Sequence, residues 1–143
     1  MSKSILCAID ISQPAMDKLV LEAAAKLAKT DGARLDVITV VPDYGLSLVG
    51  SFFDESHHDK AVKEAGKQLN KFVESVVGAE VNKSVRHVVA TGSAYEQILE
   101  TAKKAGSDLI VIGSHKPELS DYLLGPNAAR VVRHSKCSVY VVR

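Results

Sequence analysis

The chain has 143 residues, with 18 basic and 17 acidic side chains and a net charge of +1. That length suits one domain, 1–143, with a sizeable core, and near-zero charge lacks the basic footprint that nucleic-acid binding requires. No apolar run reaches membrane-spanning length, and Met1-Ser-Lys-Ser-Ile5 runs straight into a strand-like segment, with no stretch for a signal peptide. The cytoplasm is therefore the expected compartment. Cys7 and Cys137 sit within or beside apolar runs and read as small buried hydrophobes, not as a disulfide framework.

Strand-like and helix-like segments alternate along the chain. Residues 5–9 form a short apolar run. Met16, Leu19, Val20, Ala23 and Leu27 then recur at helical spacing. Ser12 or Gln13 opens that helix, Pro14 lies in its first turn, and Gly32 is a natural stop. Residues 35–41 form the second strand. Val62, Ala65, Leu69, Phe72, Val73 and Val76 mark a long helix ending at Gly78. Residues 85–89 are the third strand. Ser93-Ala-Tyr-Glu96 has the pattern of a capping box opening a helix that ends near Gly106. Residues 109–112 form a fourth strand, closed by Gly113. Ala128, Val131 and Val132 line a short helix after Gly125. Ser138-Val-Tyr-Val-Val142 is the fifth strand. Such alternation implies right-handed βαβ units and a mostly parallel sheet.

The one long connection runs from 42 to 57 and carries Gly45, Gly50, Phe52 and Phe53. A loop of that length either covers a ligand or partner, or is an excursion with two aromatics tucked onto the domain. His57 and His58 beside Asp54, Glu55 and Asp59 suit a solvated helix start better than a metal cluster.

The richest segment runs from Val111 to Val132. Gly113 ends a strand and Gly125 precedes a helix. Glycines so placed suit an anion site, since backbone can approach the ligand and helix N–H groups point at it. Neither standard phosphate-loop spacing is present. The segment resembles the signature G-x-x-G-x9-G-[ST] of the universal stress protein family, whose members carrying it bind ATP. Gly113, Ser114 and His115 fit that signature. Lys116 replaces its next glycine, the spacer to Gly125 is one residue shorter, and Pro126-Asn127 follows instead of Ser or Thr. The string Tyr-Leu-Leu-Gly-x-Asn-Ala-Ala-x-Val-Val-Arg-His is similar to a small single-domain subgroup that shares the basic residue and the short spacer.

The resemblance implies an open five-stranded α/β sheet of order 3-2-1-4-5, Rossmann-like, with helices on both faces. Ligands of such sheets bind where strand order reverses. The implied ligand is ATP or ADP, with Mg²⁺ held through the phosphates. The implied nucleotide-binding set is Ala8, Asp10, Val40, Gly113, Ser114, His115, Lys116, Gly125, Asn127 and Ala128. Ala8 would line the adenine pocket, and Val40 would offer backbone to the base. Asn127, the Ala128 N–H and Lys116 would meet phosphate. Asp10 would accept from ribose hydroxyls or stand beside a metal.

Bland readings stand beside these. Asp10 suits a helix cap, Ser12 is a cap, Lys116 is a solvated loop lysine, and His115 next to Ser114 lacks an orienting carboxylate. The functional expectation is a nucleotide-responsive regulatory protein. The alternatives are a slow ATP hydrolase, cast from Asp10, His115 and Lys116, and a nucleotide-free interaction module. The fifth strand, Val139 to Val142, is expected to pair a homodimer, which can assemble further into a tetramer.

Overall fold

The computed structural model describes residues 2–11, 14–42, 55–114 and 125–143. Five strands, β1 (Ser4–Ala8), β2 (Arg34–Val41), β3 (Arg86–Thr91), β4 (Leu109–Gly113) and β5 (Ser138–Val142), form one sheet. The helices are α1 (Pro14–Asp31), α2 (Glu55–Val77), the single turn α3 (Ala79–Asn82), α4 (Ala94–Ala105) and α5 (Pro126–His134). All four strand pairings are parallel and the order is β3-β2-β1-β4-β5. The alternation expected from sequence and the order implied by the resemblance are both present.

Side-chain alternation splits the core into two layers. Ile5, Cys7, Ile9, Leu35, Val37 and Val111 face α1 and α2. Leu6, Ala8, Ile38, Ile110 and Ile112 face α4 and α5. Both faces are covered, which is why the strands read as near-continuous apolar runs. Leu69 of α2 is fully buried, and truncating it to Ala should cost about 2–5 kcal/mol.

Helix ends follow local chemistry. Gly32 and Gly106 take left-handed φ values of 64° and 67° and stop α1 and α4. Pro126 occupies the first turn of α5, where its missing N–H is harmless. Three expectations need correction. Ser93 is the N-cap of α4 but makes no side-chain cap bond; its neighbour Glu96 instead accepts from the Tyr95 hydroxyl at 3.1 Å. Leu19 and Val132 are about half exposed. The buried stripe of α1 is Asp17, Val20, Leu21, Ala24 and Ala28, rotated from the stripe read through Leu19. Cys7 is buried as expected, while Cys137 is half-buried at the margin of its layer.

The end of the sheet at the strand N-termini is closed by charge. Asp36 is fully buried and meets Arg86 at 3.1 Å and Arg34 at 3.6 Å. Arg34 also donates to the Ala105 carbonyl at 2.7 Å and to Ser4 Oγ at 3.0 Å. These bonds tie β2, β1 and α4 together; among the described residues no such ion pair closes the opposite end, at the strand C-termini.

Candidate functional site

The strand C-terminal end holds a cavity of about 660 Å³, within the size range of small-molecule sites. It lies where the chain reverses direction across the sheet: β1 leads through α1 to β2 on one side, and β4 leads through α5 to β5 on the other. Its floor is apolar, from Ala8, Ile38, Val40, Ile98 and Ile112. One wall is the Gly125 end of α5, and the other carries Asp10, Asp17 and Thr39.

The α5 wall is built by backbone. The Ser114 N–H donates to the Val142 carbonyl at 2.8 Å, and the Ser114 carbonyl accepts from the Gly125 N–H. Fully buried Ser114 thus pins the helix start to the ends of β4 and β5. The intrahelical ladder begins with Ala129 N–H to the Gly125 carbonyl at 2.9 Å. The N–H groups of Asn127 and Ala128 lie in the first turn, ahead of that ladder, and the helix dipole adds partial positive charge there. Gly125 itself has φ −62° and ψ 160°. It is extended, so no left-handed conformation calls for glycine there.

The opposite wall is acidic. β1 pairs through Ala8, and Ile9 extends the ladder by donating to the Ile38 carbonyl at 2.8 Å. Asp10 is the next residue. Its N–H donates to Asp17 Oδ2 at 2.5 Å, while its own side chain is exposed at the cavity. Asp17 sits in the first turns of α1 and is only 6% exposed. Burial pushes its carboxyl up to about 7; the Asp10 N–H pulls the other way, and the Asp10 charge adds to the rise. Burial, and then the Asp17 charge, hold the Cys7 thiol well above its ordinary value, so it is not a nucleophile.

Of the residues singled out from sequence, Ala8, Asp10, Val40, Gly113, Gly125, Asn127 and Ala128 all line this one cavity. Ser114 does not line it; it is part of the scaffold behind the α5 wall. His115, Lys116 and Ser12 lie outside the described residues, as does most of the 42–57 connection. His58 is described, and its Nε2 lies 3.1 Å from Thr91 Oγ1, joining α2 to the end of β3. Among the described residues no group of three or more His, Cys, Asp or Glu side chains is arranged to hold a metal. Sequence reading missed Asp17, Thr39, Glu64, Gln68 and Ile98. For Asp17 a signal existed: it precedes Val20, Leu21 and Ala24 by three, four and seven residues, on the stripe that is buried.

With its open parallel sheet, and with a helix start and an apolar floor at the reversal point, the chain is a doubly wound α/β protein. A profile of the universal stress protein family matches residues 1–143, and the chain belongs to that family. It is 33% identical over 146 residues to universal stress protein A homolog 2 of Coxiella burnetii, covering 99% of this chain and 94% of that protein. The structure of universal stress protein UspA from Lactobacillus plantarum superposes with TM-score 0.71 at 25% identity, covering 99% of this chain and 97% of that one. A universal stress protein in complex with cAMP has TM-score 0.69 at 19% identity, with 99% of this chain and 97% of the other covered. One from Archaeoglobus fulgidus in complex with dAMP has TM-score 0.65 at 17% identity, with 99% and 98% covered. Among the described residues of this chain, no helix is long and apolar enough to cross a membrane.

Proposed function

We propose that this protein binds ATP or ADP in the cavity at the sheet reversal and acts as a nucleotide-responsive regulatory protein of the cytoplasm. The observation that carries the reading is the meeting of Asp10, Gly113, Gly125 and the free end of α5 around one apolar-floored cavity. Adenine suits the Ala8, Val40, Ile98 and Ile112 floor, ribose the Asp10 side, and phosphates the Asn127 and Ala128 N–H groups. Two fold relatives hold adenine nucleotides, cAMP and dAMP, which supports the same ligand class here.

The described lining has three acids, Asp10, Asp17 and Glu64, and no basic residue. A polyphosphate is best accommodated there with its charge offset by Mg²⁺ carried on the phosphates themselves. Binding, not turnover, is the proposed activity, since the described lining offers no water-activating group beyond these carboxylates. Hydrolysis is the alternative to test.

The assembly proposed is a homodimer through β5. That strand is at the edge of the described sheet, with Tyr140 about half exposed. An unpaired edge strand is a liability that an isologous contact removes. Calorimetry with an ATP, ADP, cAMP and dAMP panel is the direct test of ligand binding, alongside mass spectrometry of nucleotide retained on purification. Absence of heat and of thermal shift at millimolar nucleotide would reject the binding reading and leave an interaction module of the same fold. Turnover followed over hours separates binding protein from hydrolase.

A further inference from the structure

We propose that Asp17 is a positioning residue that sets the ligand-facing pose of Asp10, and thereby the preference of the cavity for a ribonucleotide over its 2′-deoxy counterpart. The inference rests on the nucleotide reading and adds to it a residue that makes the site selective.

The turn into α1 begins where β1 ends. Ile9 is the last residue of this strand to bond to β2, through the Ile38 carbonyl. At Asp10 the chain leaves the sheet, and its N–H needs another acceptor. Asp17, seven residues later, supplies one at 2.5 Å. The turn between β1 and α1 is therefore held by a side chain from the helix it leads into. Asp17 is itself held closely. One turn further along α1, Val20 is fully buried and lies against Gly113, where a Cβ would come within 3.1 Å of Val20 Cγ2. The helix thus sits as near β4 as a glycine permits, and Asp17 has little latitude.

The consequence falls on the Asp10 side chain. It is exposed at the cavity and carries the acceptor oxygens. A carboxylate fixed in one pose can accept from two vicinal hydroxyls of a ribose. A 2′-deoxyribose presents one. With the turn loosened, Asp10 would lose that selectivity before the apolar floor or the α5 wall lost theirs.

The test compares Asp17→Leu and Asp17→Ala, which remove the acceptor, with Asp17→Asn, which keeps a carbonyl oxygen in its place. Binding of ADP and 2′-deoxy-ADP is measured by calorimetry, and exchange of the Asp10 amide is measured by NMR in the ligand-free protein. The parent should prefer ADP by about tenfold, the worth of one bond to a charged acceptor. Asp17→Leu or Asp17→Ala should reduce that preference to about twofold or less and speed Asp10 amide exchange by about tenfold. Asp17→Asn should restore most of both. Equal losses of ADP and 2′-deoxy-ADP affinity, or an Asp10 amide unaffected by loss of the acceptor, would overturn the proposal. If the two acceptor-free variants fail to fold, Asp17→Asn and Asp10→Asn decide it: selectivity must persist in the first and vanish in the second. A parent that binds neither nucleotide sinks the nucleotide reading and the ribose preference with it, while amide exchange still decides whether Asp17 holds the turn.

Discussion

Replacing Gly113 by Ala should destabilise the protein through one atom pair. An ideal Cβ at Gly113 would lie 3.1 Å from Val20 Cγ2, inside the roughly 3.5–4.0 Å optimum for carbon contacts. Val20 is fully buried, so it has no solvent side into which to move. Overpacking of this kind costs about 1–3 kcal/mol. Ala gains back about 0.5–1 kcal/mol over Gly inside a strand, which leaves a net loss of up to about 2.5 kcal/mol. Val20→Ala alone removes two buried methyl groups and should cost about 2 kcal/mol, from transfer plus cavity. In the double variant the offending Cγ2 is gone, and the methyl group introduced at position 113 partly fills the space. Gly113→Ala should then be neutral or slightly stabilising, a coupling of about 1–3 kcal/mol. Urea unfolding followed by far-ultraviolet circular dichroism measures all four corners of the cycle; the chain has no Trp to report by fluorescence. Additive losses, or a stabilised Gly113→Ala single variant, would refute the claim that glycine is required here by the approach of α1 to β4.

Three further outcomes are expected. Asp17 is raised to about 7 by burial, above its ordinary value of 3.8, so the parent should lose stability, by up to a few kcal/mol, as pH rises from about 4 to 7. Asp17→Asn should lack that loss, and urea midpoints at pH 4.5 and 7.5 check the sign; a parent that gains stability against Asp17→Asn over this range would contradict a raised value. Gly125→Val should weaken nucleotide binding more than Lys116→Ala, because its side chain crowds the backbone approach at a buried helix start, whereas Lys116 supplies at most one point charge; equal affinities of Gly125→Val and parent, with the fold intact, would place the phosphates elsewhere. Light scattering at tens of micromolar should give a dimer. The Val142 carbonyl accepts from Ser114 across β4, so the alternating Val141 N–H points to the free edge, and Val141→Pro should weaken the dimer while sparing the β4–β5 ladder.

What the sequence discloses follows from which interactions are local. Strand and helix periodicity, the stops at Gly32, Gly78 and Gly106, and Pro126 at the start of α5 are short-range signals, and each corresponds to an observed feature. Strand order is not local. The reversal between β1 and β4 comes from resemblance, and the sheet has that order. The capping box at Ser93 shows the limit of a four-residue pattern: the helix begins there, but the reciprocal side-chain bond does not form. Leu19 and Val132 show another limit. Each fits a helical stripe when counted by residue type, yet the orientation of a helix depends on which small residues let it approach the sheet. For α1 these include Gly113, on a strand nearly a hundred residues away.

The same non-local contact explains why the acidic wall of the cavity is hidden in the sequence. Asp17 reads as an ordinary acid in the first turn of a helix, where the dipole favours it. Its burial follows from the rotation of α1 that brings Val20 against Gly113, because residues three apart share a face. Once α1 is so turned, the carboxyl has water on few sides, and the nearest donor is the Asp10 N–H released where β1 leaves the sheet. Ionisation is then costly and the amide bond is strong, so one side chain carries both a stability penalty near neutral pH and the geometry of the residue facing the cavity. A core that only needed packing would have placed an apolar residue at position 17. At position 17 the acid instead supplies the acceptor for the Asp10 N–H, where β1 gives way to α1.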